Sequence, residues 1–272
     1  LIEEVLDKGK TVLEPFRALR ANLKHIAAQN GYRTFMICSA LKGEGKTTLA
    51  ANLAITFVMD GRRVILVDGD LRRSQLHTLF SLPKENGFSE YLQGSAEVDQ
   101  ILKPTKHGHL MIVTAGERPH NPAELLGTMR FDTMMQELRS RCDLLIYDSP
   151  ALLPVSDGLT MAPKMDCCLM IARTLWTPLK GARQARMQLS RIGTNVIGSI
   201  LNGVAHSRGY YPYYYGYYGY YSYSYKYSYD DETSRGGPLR ELGLKLETRL
   251  KSAMLEVRSL VPRMVDRGVM VL

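Results

Sequence analysis

Six short apolar runs, most of them rich in β-branched residues, recur along the chain: Thr34 to Cys38, Val64 to Val67, Leu110 to Val113, Leu144 to Tyr147, Cys167 to Ile171 and Val196 to Leu201. None contains a charged residue, and each is far too short for a membrane span, which needs roughly 18 or more apolar residues. Runs of this length without polar alternation are what a strand buried on both faces requires. Between them lie stretches with helical spacing, among them Thr47 to Met59 and Phe131 to Arg139. Strand-like and helix-like segments in alternation predict parallel strands joined by crossover helices. The expected fold is α/β, a doubly wound and mostly parallel sheet flanked by helices. Ligands of such sheets bind in the crevice beyond the carboxyl ends of the strands, so the residues directly after each run carry the most information.

Directly after the first run comes Ala40-Leu41-Lys42-Gly43-Glu44-Gly45-Lys46-Thr47-Thr48, leading into a helical stretch. This is a Walker A loop. Its backbone N–H groups and the following helix N-terminus suit a phosphate chain, Lys46 suits the β- and γ-phosphates, and Thr47 suits a magnesium ion. The expected nucleotide contacts are Gly43, Glu44, Gly45, Lys46, Thr47 and Thr48. Ala40 stands where the usual pattern has glycine, and alanine keeps the turn provided its φ is negative. Two more runs end in carboxylates: Val67-Asp68-Gly69-Asp70-Leu71-Arg72, and Tyr147-Asp148-Ser149-Pro150 in the Walker B position. A lone aspartate after a strand is commonly a helix cap, but three beside a phosphate loop point to a metal-phosphate site. Thr47, Asp70 and Asp148 are the expected Mg²⁺ ligands. Lys46, Asp68 and Asp70 are the expected catalytic residues, with Asp68 or Asp70 placed to take a proton from an acceptor hydroxyl while the other joins Asp148 in holding Mg²⁺.

Past Gly209 the composition changes. From Tyr210 to Tyr229, thirteen of twenty residues are tyrosine: Tyr210, Tyr211, Tyr213, Tyr214, Tyr215, Tyr217, Tyr218, Tyr220, Tyr221, Tyr223, Tyr225, Tyr227 and Tyr229. Almost no aliphatic residue remains there for a core, which predicts a disordered, low-complexity tail. Further on, Leu239, Leu242, Leu246, Leu250, Met254, Val257, Val261 and Met264 recur at helical spacing among basic residues, predicting a basic amphipathic helix. The expected division is a catalytic domain over 1–208 with an N-terminal helical segment over 1–30, a tyrosine tail over 209–235 and the C-terminal helix over 236–272. At 272 residues there is room for one large domain rather than two. Cys38, Cys142, Cys167 and Cys168 lack metal-site or paired-disulfide spacing and are expected as buried thiols. The formal charge of +8 is spread along the chain, more often a solvated face than a nucleic-acid or membrane footprint, and does not by itself decide the partner; no nucleic-acid partner is expected. The chain begins at Leu1 in a charged helical pattern, as a piece of a longer polypeptide would.

Taken together these motifs resemble the cytoplasmic catalytic domain of bacterial tyrosine autokinases of the polysaccharide co-polymerase type. The resemblance runs from about Leu13 to Asp231 and rests on Ala40 to Thr47, the Asp-x-Asp-x-Arg core at Asp68 to Arg72, Leu144 to Pro150 and the tyrosine cluster. It also covers Asn121-Pro122-Ala123-Glu124-Leu125-Leu126, and a Glu-x-x-Arg-x-x-Arg segment at Glu14, Arg17 and Arg20. The resemblance implies ATP and Mg²⁺ as cofactors, and phosphorylation of the tail tyrosines between subunits of a ring assembled through Glu14, Arg17 and Arg20. It further implies a membrane co-polymerase activator domain, upstream in the same polypeptide or separate, a tyrosine phosphatase as partner, and a place at the inner face of the cell membrane. The position five residues before Lys46 is Leu41 rather than lysine, which argues against the dimeric partitioning and division-site ATPases. The rival reading is an ATP-gated interaction protein whose tail only docks partners. A weaker rival is a nucleic-acid or membrane binder using the C-terminal helix.

Overall fold

The computed structural model describes residues 14–204 and 269–271. The tyrosine cluster, the apolar repeat from Leu239 to Met264 and residues 1–13 lie outside these. In chain order the elements are α1 (Glu14–Asn30), β1 (Thr34–Ser39), α2 (Lys46–Val58), β2 (Val64–Asp68), α3 (Leu76–Leu79), α4 (Phe88–Gln93), α5 (Val98–Ile101), β3 (Leu102–Pro104) and β4 (Leu110–Val113). There follow α6 (Pro122–Leu126), α7 (Met129–Arg141), β5 (Leu144–Asp148), α8 (Asp157–Met161), a 3₁₀ turn (Ala162–Lys164), β6 (Cys167–Arg173), α9 (Leu179–Arg191), β7 (Val196–Asn202) and β8 (Val269–Val271). All six expected strands are present.

The strands form one sheet in the order β3-β4-β2-β5-β1-β6-β7-β8, parallel throughout except for β3. Side chains alternate across a strand, and here each alternate set has its own core. Met36, Cys38, Ile65, Val67, Leu145, Tyr147, Cys168 and Met170 pack on one face with α4 and α7. Phe35, Ile37, Val64, Leu66, Leu144, Ile146, Cys167, Leu169 and Ile171 pack on the other with α1 and α2. Such two-sided burial explains why the strands read as unbroken apolar runs. On the first face Phe88, Phe131 and Tyr147 form an aromatic cluster with ring centroids 5.2 to 6.4 Å apart. All four cysteines are free and buried.

Two strands lay outside the sequence reading. β3 pairs antiparallel with β4 and contains a proline, Pro104, as only a sheet edge tolerates. β8 pairs with β7, so residues 269–271 of the segment expected as a C-terminal helix are strand. Among the described residues no helix is long and apolar enough to cross a membrane.

Candidate active site

The phosphate loop joins β1 to α2. Gly43 and Gly45 take φ of 78° and 99°, the left-handed region that side chains avoid, and Ala40 does not, so alanine costs nothing at that position. A Cβ on Gly45 would stand 2.4 Å from Asn202 Nδ2. Lys46 is buried, and its ammonium donates to Ser39 Oγ at 3.0 Å. The loop's carbonyls are held from outside by the ends of β6 and β7. Trp176 Nε1 donates to the Lys42 carbonyl, Arg173 to that of Gly43 and Asn202 Nδ2 to that of Glu44, at 3.1, 3.1 and 3.0 Å. Glu44 is itself buried, accepting the Leu41 N–H at 2.7 Å and the Thr177 hydroxyl. Carbonyls drawn outward suit a loop whose N–H groups are to face an anion.

The carboxylates gather where β2 and β5 end side by side. Asp68 and Asp148 are register partners, and the Gly69 N–H extends the pairing by donating to the Asp148 carbonyl at 2.8 Å. Thr47 Oγ1 donates to Asp148 Oδ2 at 2.5 Å, while Asp148 Oδ1 is buried with no hydrogen-bond partner. Asp68 is the most engaged of the three. Its Oδ2 accepts from the N–H groups of Gln75 and Leu76 at 3.1 and 3.0 Å, and its Oδ1 from that of Asp70 at 3.3 Å. The ordinary capping role of a strand-end aspartate therefore applies to Asp68. Asp70 is half-buried; its Oδ1 accepts from the N–H groups of Arg72 and Arg73, at 3.2 and 2.9 Å.

Burial, then the neighbouring Asp148 charge, pushes the Asp68 carboxyl up to about 8, against the pull of the Leu76 and Gln75 amides. Burial pushes Asp148 up to about 7, against the Thr47 hydrogen bond and the Lys46 charge. Two adjacent buried carboxyls, one with an orphaned oxygen, fit a cation that would neutralise them. Among the described residues no three His, Cys, Asp or Glu side chains are arranged to hold a metal alone. Magnesium does not need them, since it is usually held by one or two carboxylates together with substrate phosphates and water.

The other expected residues divide. Thr48 is exposed on the first turn of α2. Glu14 and Arg17 pair with each other at 2.5 Å on the exposed side of α1. Arg20 instead turns inward, donating to the Thr56 carbonyl at 2.5 Å and lying 3.7 Å from Asp60. Sequence reasoning missed Arg173, Trp176, Thr177 and Asn202. The signal for Asn202 was available, because it ends β7 as Asp68 and Asp148 end β2 and β5. Nothing in the sequence marked the Arg173 to Thr177 loop.

Comparison with known proteins agrees with this geometry. Residues 35–211 match the CobQ/CobB/MinD/ParA nucleotide binding domain. The chain is 32% identical over 202 residues to the tyrosine-protein kinase YwqD of Bacillus subtilis, covering 73% of this chain and 85% of that protein. It is 34% identical over 194 residues to the tyrosine-protein kinase etk of Escherichia coli K12, covering 71% of this chain but only 27% of that longer protein. The solved kinase domain of Escherichia coli ETK superimposes with a TM-score of 0.73 at 30% identity, covering 84% of this chain and 85% of that one. With its phosphate loop, paired strand-end aspartates and mostly parallel sheet, the chain belongs to the bacterial tyrosine-protein kinases built on the MinD/ParA-type nucleotide-binding domain.

Proposed function

We propose that this kinase transfers the γ-phosphate of ATP to the tyrosines of its own C-terminal cluster, Tyr210 to Tyr229, in a neighbouring subunit of a ring. The observation that carries the reading is the hydrogen bond of Thr47 to Asp148, whose other oxygen is orphaned, with Asp148 paired across the strands to Asp68. Thr47 and Asp148 would hold Mg²⁺ against the phosphates, which leaves Asp70 to act as base. The metal would supply neutralisation of charge on the transferring group. Lys46 places its ammonium at the β- and γ-phosphates once nucleotide draws it from Ser39. Asp68, tied to three backbone amides, fixes the loop that presents Asp70. Of the two candidate bases Asp70 is therefore the better placed, since it is half-exposed and only its Oδ1 accepts from the protein. A tyrosine hydroxyl, with an ordinary pKa near 10, gains from such a carboxylate.

Each phosphate adds roughly −1.5 to −2 charge, so about five would cancel the formal +8 of the chain. A modified tail is then repelled from the aspartate-lined crevice. This supports a cycle in which unmodified tails hold neighbours together and modified ones let them part, with a phosphatase resetting it. The resemblance to co-polymerase kinases supports work at the inner face of the cell membrane, in exopolysaccharide or capsule synthesis, under a membrane activator domain.

Deleting Tyr210 to Tyr229 tests the assignment of the acceptor. The truncated protein should bind Mg-ATP as before and lose most of its self-labelling. Undiminished labelling would place the acceptor elsewhere. A full-length protein that binds ATP without labelling itself would favour a nucleotide-gated docking protein.

A further inference from the structure

We propose that Arg72 and Asp157 form a positioning clamp between the turn after β2 and the start of α8, which sets the place of Asp70 relative to Asp148 and on which turnover depends. Arg72 Nε and Nη2 meet the two oxygens of Asp157 at 2.7 and 3.0 Å, the parallel fork that only arginine makes with a carboxylate. Asp157 is the first residue of α8, its side chain 1% exposed, and Arg72 is its charge partner. Arg72 also belongs to the turn on which Asp70 sits, because the Arg72 and Arg73 amides both donate to Asp70 Oδ1. Fixing the guanidinium to α8 therefore fixes the Asp70 carboxylate.

The surroundings of the clamp are built for close approach. A Cβ on Gly69 would lie 2.5 Å from the Met161 side chain of α8 and 2.8 Å from the Asp148 carbonyl. Leu71 is buried in the same core as Leu126, Leu152 and Met161. Helix α6 packs against α8, and the negative charge of its Glu124 acts on Arg72 together with those of Asp157 and Asp70. The segment Asn121 to Leu126, part of the family resemblance, thus buttresses the clamp. Among the described residues Arg72 makes no hydrogen bond or ion pair with the phosphate loop or Lys46, so it acts through Asp70 rather than on nucleotide.

The test uses the full chain as Arg72→Lys, Asp157→Asn and the double variant. Arg72→Lys keeps a cation beside the buried carboxylate and loses the fork. Measured for each are kcat and KM for Mg-ATP from phosphotyrosine formation, Mg-dependent ATP turnover, nucleotide binding from Trp176 fluorescence, and the melting temperature. A misplacement of about 1 Å can cost on the order of 100-fold in rate, so kcat should fall roughly 10- to 100-fold. KM for ATP should change by less than about threefold, and the double variant should be no worse than the poorer single one, as for one shared interaction. Unchanged kcat in Arg72→Lys, a loss confined to KM, or losses that multiply in the double variant would overturn the proposal. So would failure of Arg72→Lys to fold, which would mark the pair as a structural tie alone. The proposal rests on the kinase reading only for its acceptor. Wild type that turns over ATP without making phosphotyrosine would refute that reading, while the clamp would still be judged from ATP turnover.

Discussion

Replacing Asp148 by asparagine should make the metal-free protein more stable at pH 8 and remove that advantage at pH 4. A carboxyl raised from 3.8 to about 7 costs on the order of 4 kcal/mol to ionise within the fold relative to the unfolded chain, at about 1.4 kcal/mol for each tenfold in acidity. The sign follows from the direction of the rise. The stability contributed by the neutral form is fully present below 3.8 and is lost as pH climbs through about 7. An asparagine carbonyl keeps the hydrogen bond from Thr47, but its amide takes the place of Oδ1, which has no partner. Leaving that amide unsatisfied costs about 1–3 kcal/mol, so the net gain at pH 8 is about 2 kcal/mol, a rise in Tm of roughly 4–8 °C for a domain of this size. Thermal unfolding of both proteins in chelator across pH 4 to 8 reads this directly. Saturating Mg-nucleotide at about 100 Kd should then stabilise wild type by roughly 2.7 kcal/mol, and the variant by less. A difference between the two proteins that does not change with pH would rule out an Asp148 carboxyl raised by burial. So would wild type that is more stable at pH 8 than at pH 5 without metal.

Four further outcomes follow from contacts around the loop and along α1. Trp176 is the only tryptophan of the chain and donates to the Lys42 carbonyl, so nucleotide binding should change its fluorescence, and a silent titration with binding seen by calorimetry would contradict the coupling. Gly45→Ala, at φ 99° and facing Asn202, should lower Tm by the equivalent of more than about 1 kcal/mol and weaken nucleotide binding, as calorimetry would show. Arg17→Ala should leave Tm within about 1 kcal/mol of wild type, because its pair with Glu14 is exposed, yet reduce oligomer mass in light scattering. Arg20→Ala should instead lower stability by on the order of 1–2 kcal/mol, because Arg20 ties α1 to α2 at Thr56 and to the following turn at Asp60.

What was legible in the sequence is what short-range pattern encodes. Strands buried on both faces leave unbroken apolar runs, so β1, β2, β4, β5, β6 and β7 were all found, and the residues after them marked the phosphate loop and its carboxylates. β3 escaped notice because it is a three-residue edge strand, paired antiparallel and carrying Pro104. The division of labour among the aspartates was not legible either. Asp68 and Asp70 look equivalent as letters two apart, and only the fold shows Asp68 bound by three amides. The same holds for Arg17 and Arg20, which share a helical face by spacing yet differ in whether α2 lies beneath them. Trp176 and Asn202 reach the loop from sequence distances of more than a hundred residues, and Arg72 reaches Asp157 across 85. No local pattern records contacts of that kind.

What would define this protein as an autokinase is the movement of phosphate from ATP to its own tyrosines. Incubation with Mg-ATP followed by mass-spectrometric mapping of phosphotyrosine, in wild type and Lys46→Met, tests it most directly. Phosphate on several tyrosines between Tyr210 and Tyr229 in wild type, and on none in Lys46→Met, is the expected result. Equal labelling of the two proteins, or none in either with ATP bound, would contradict it.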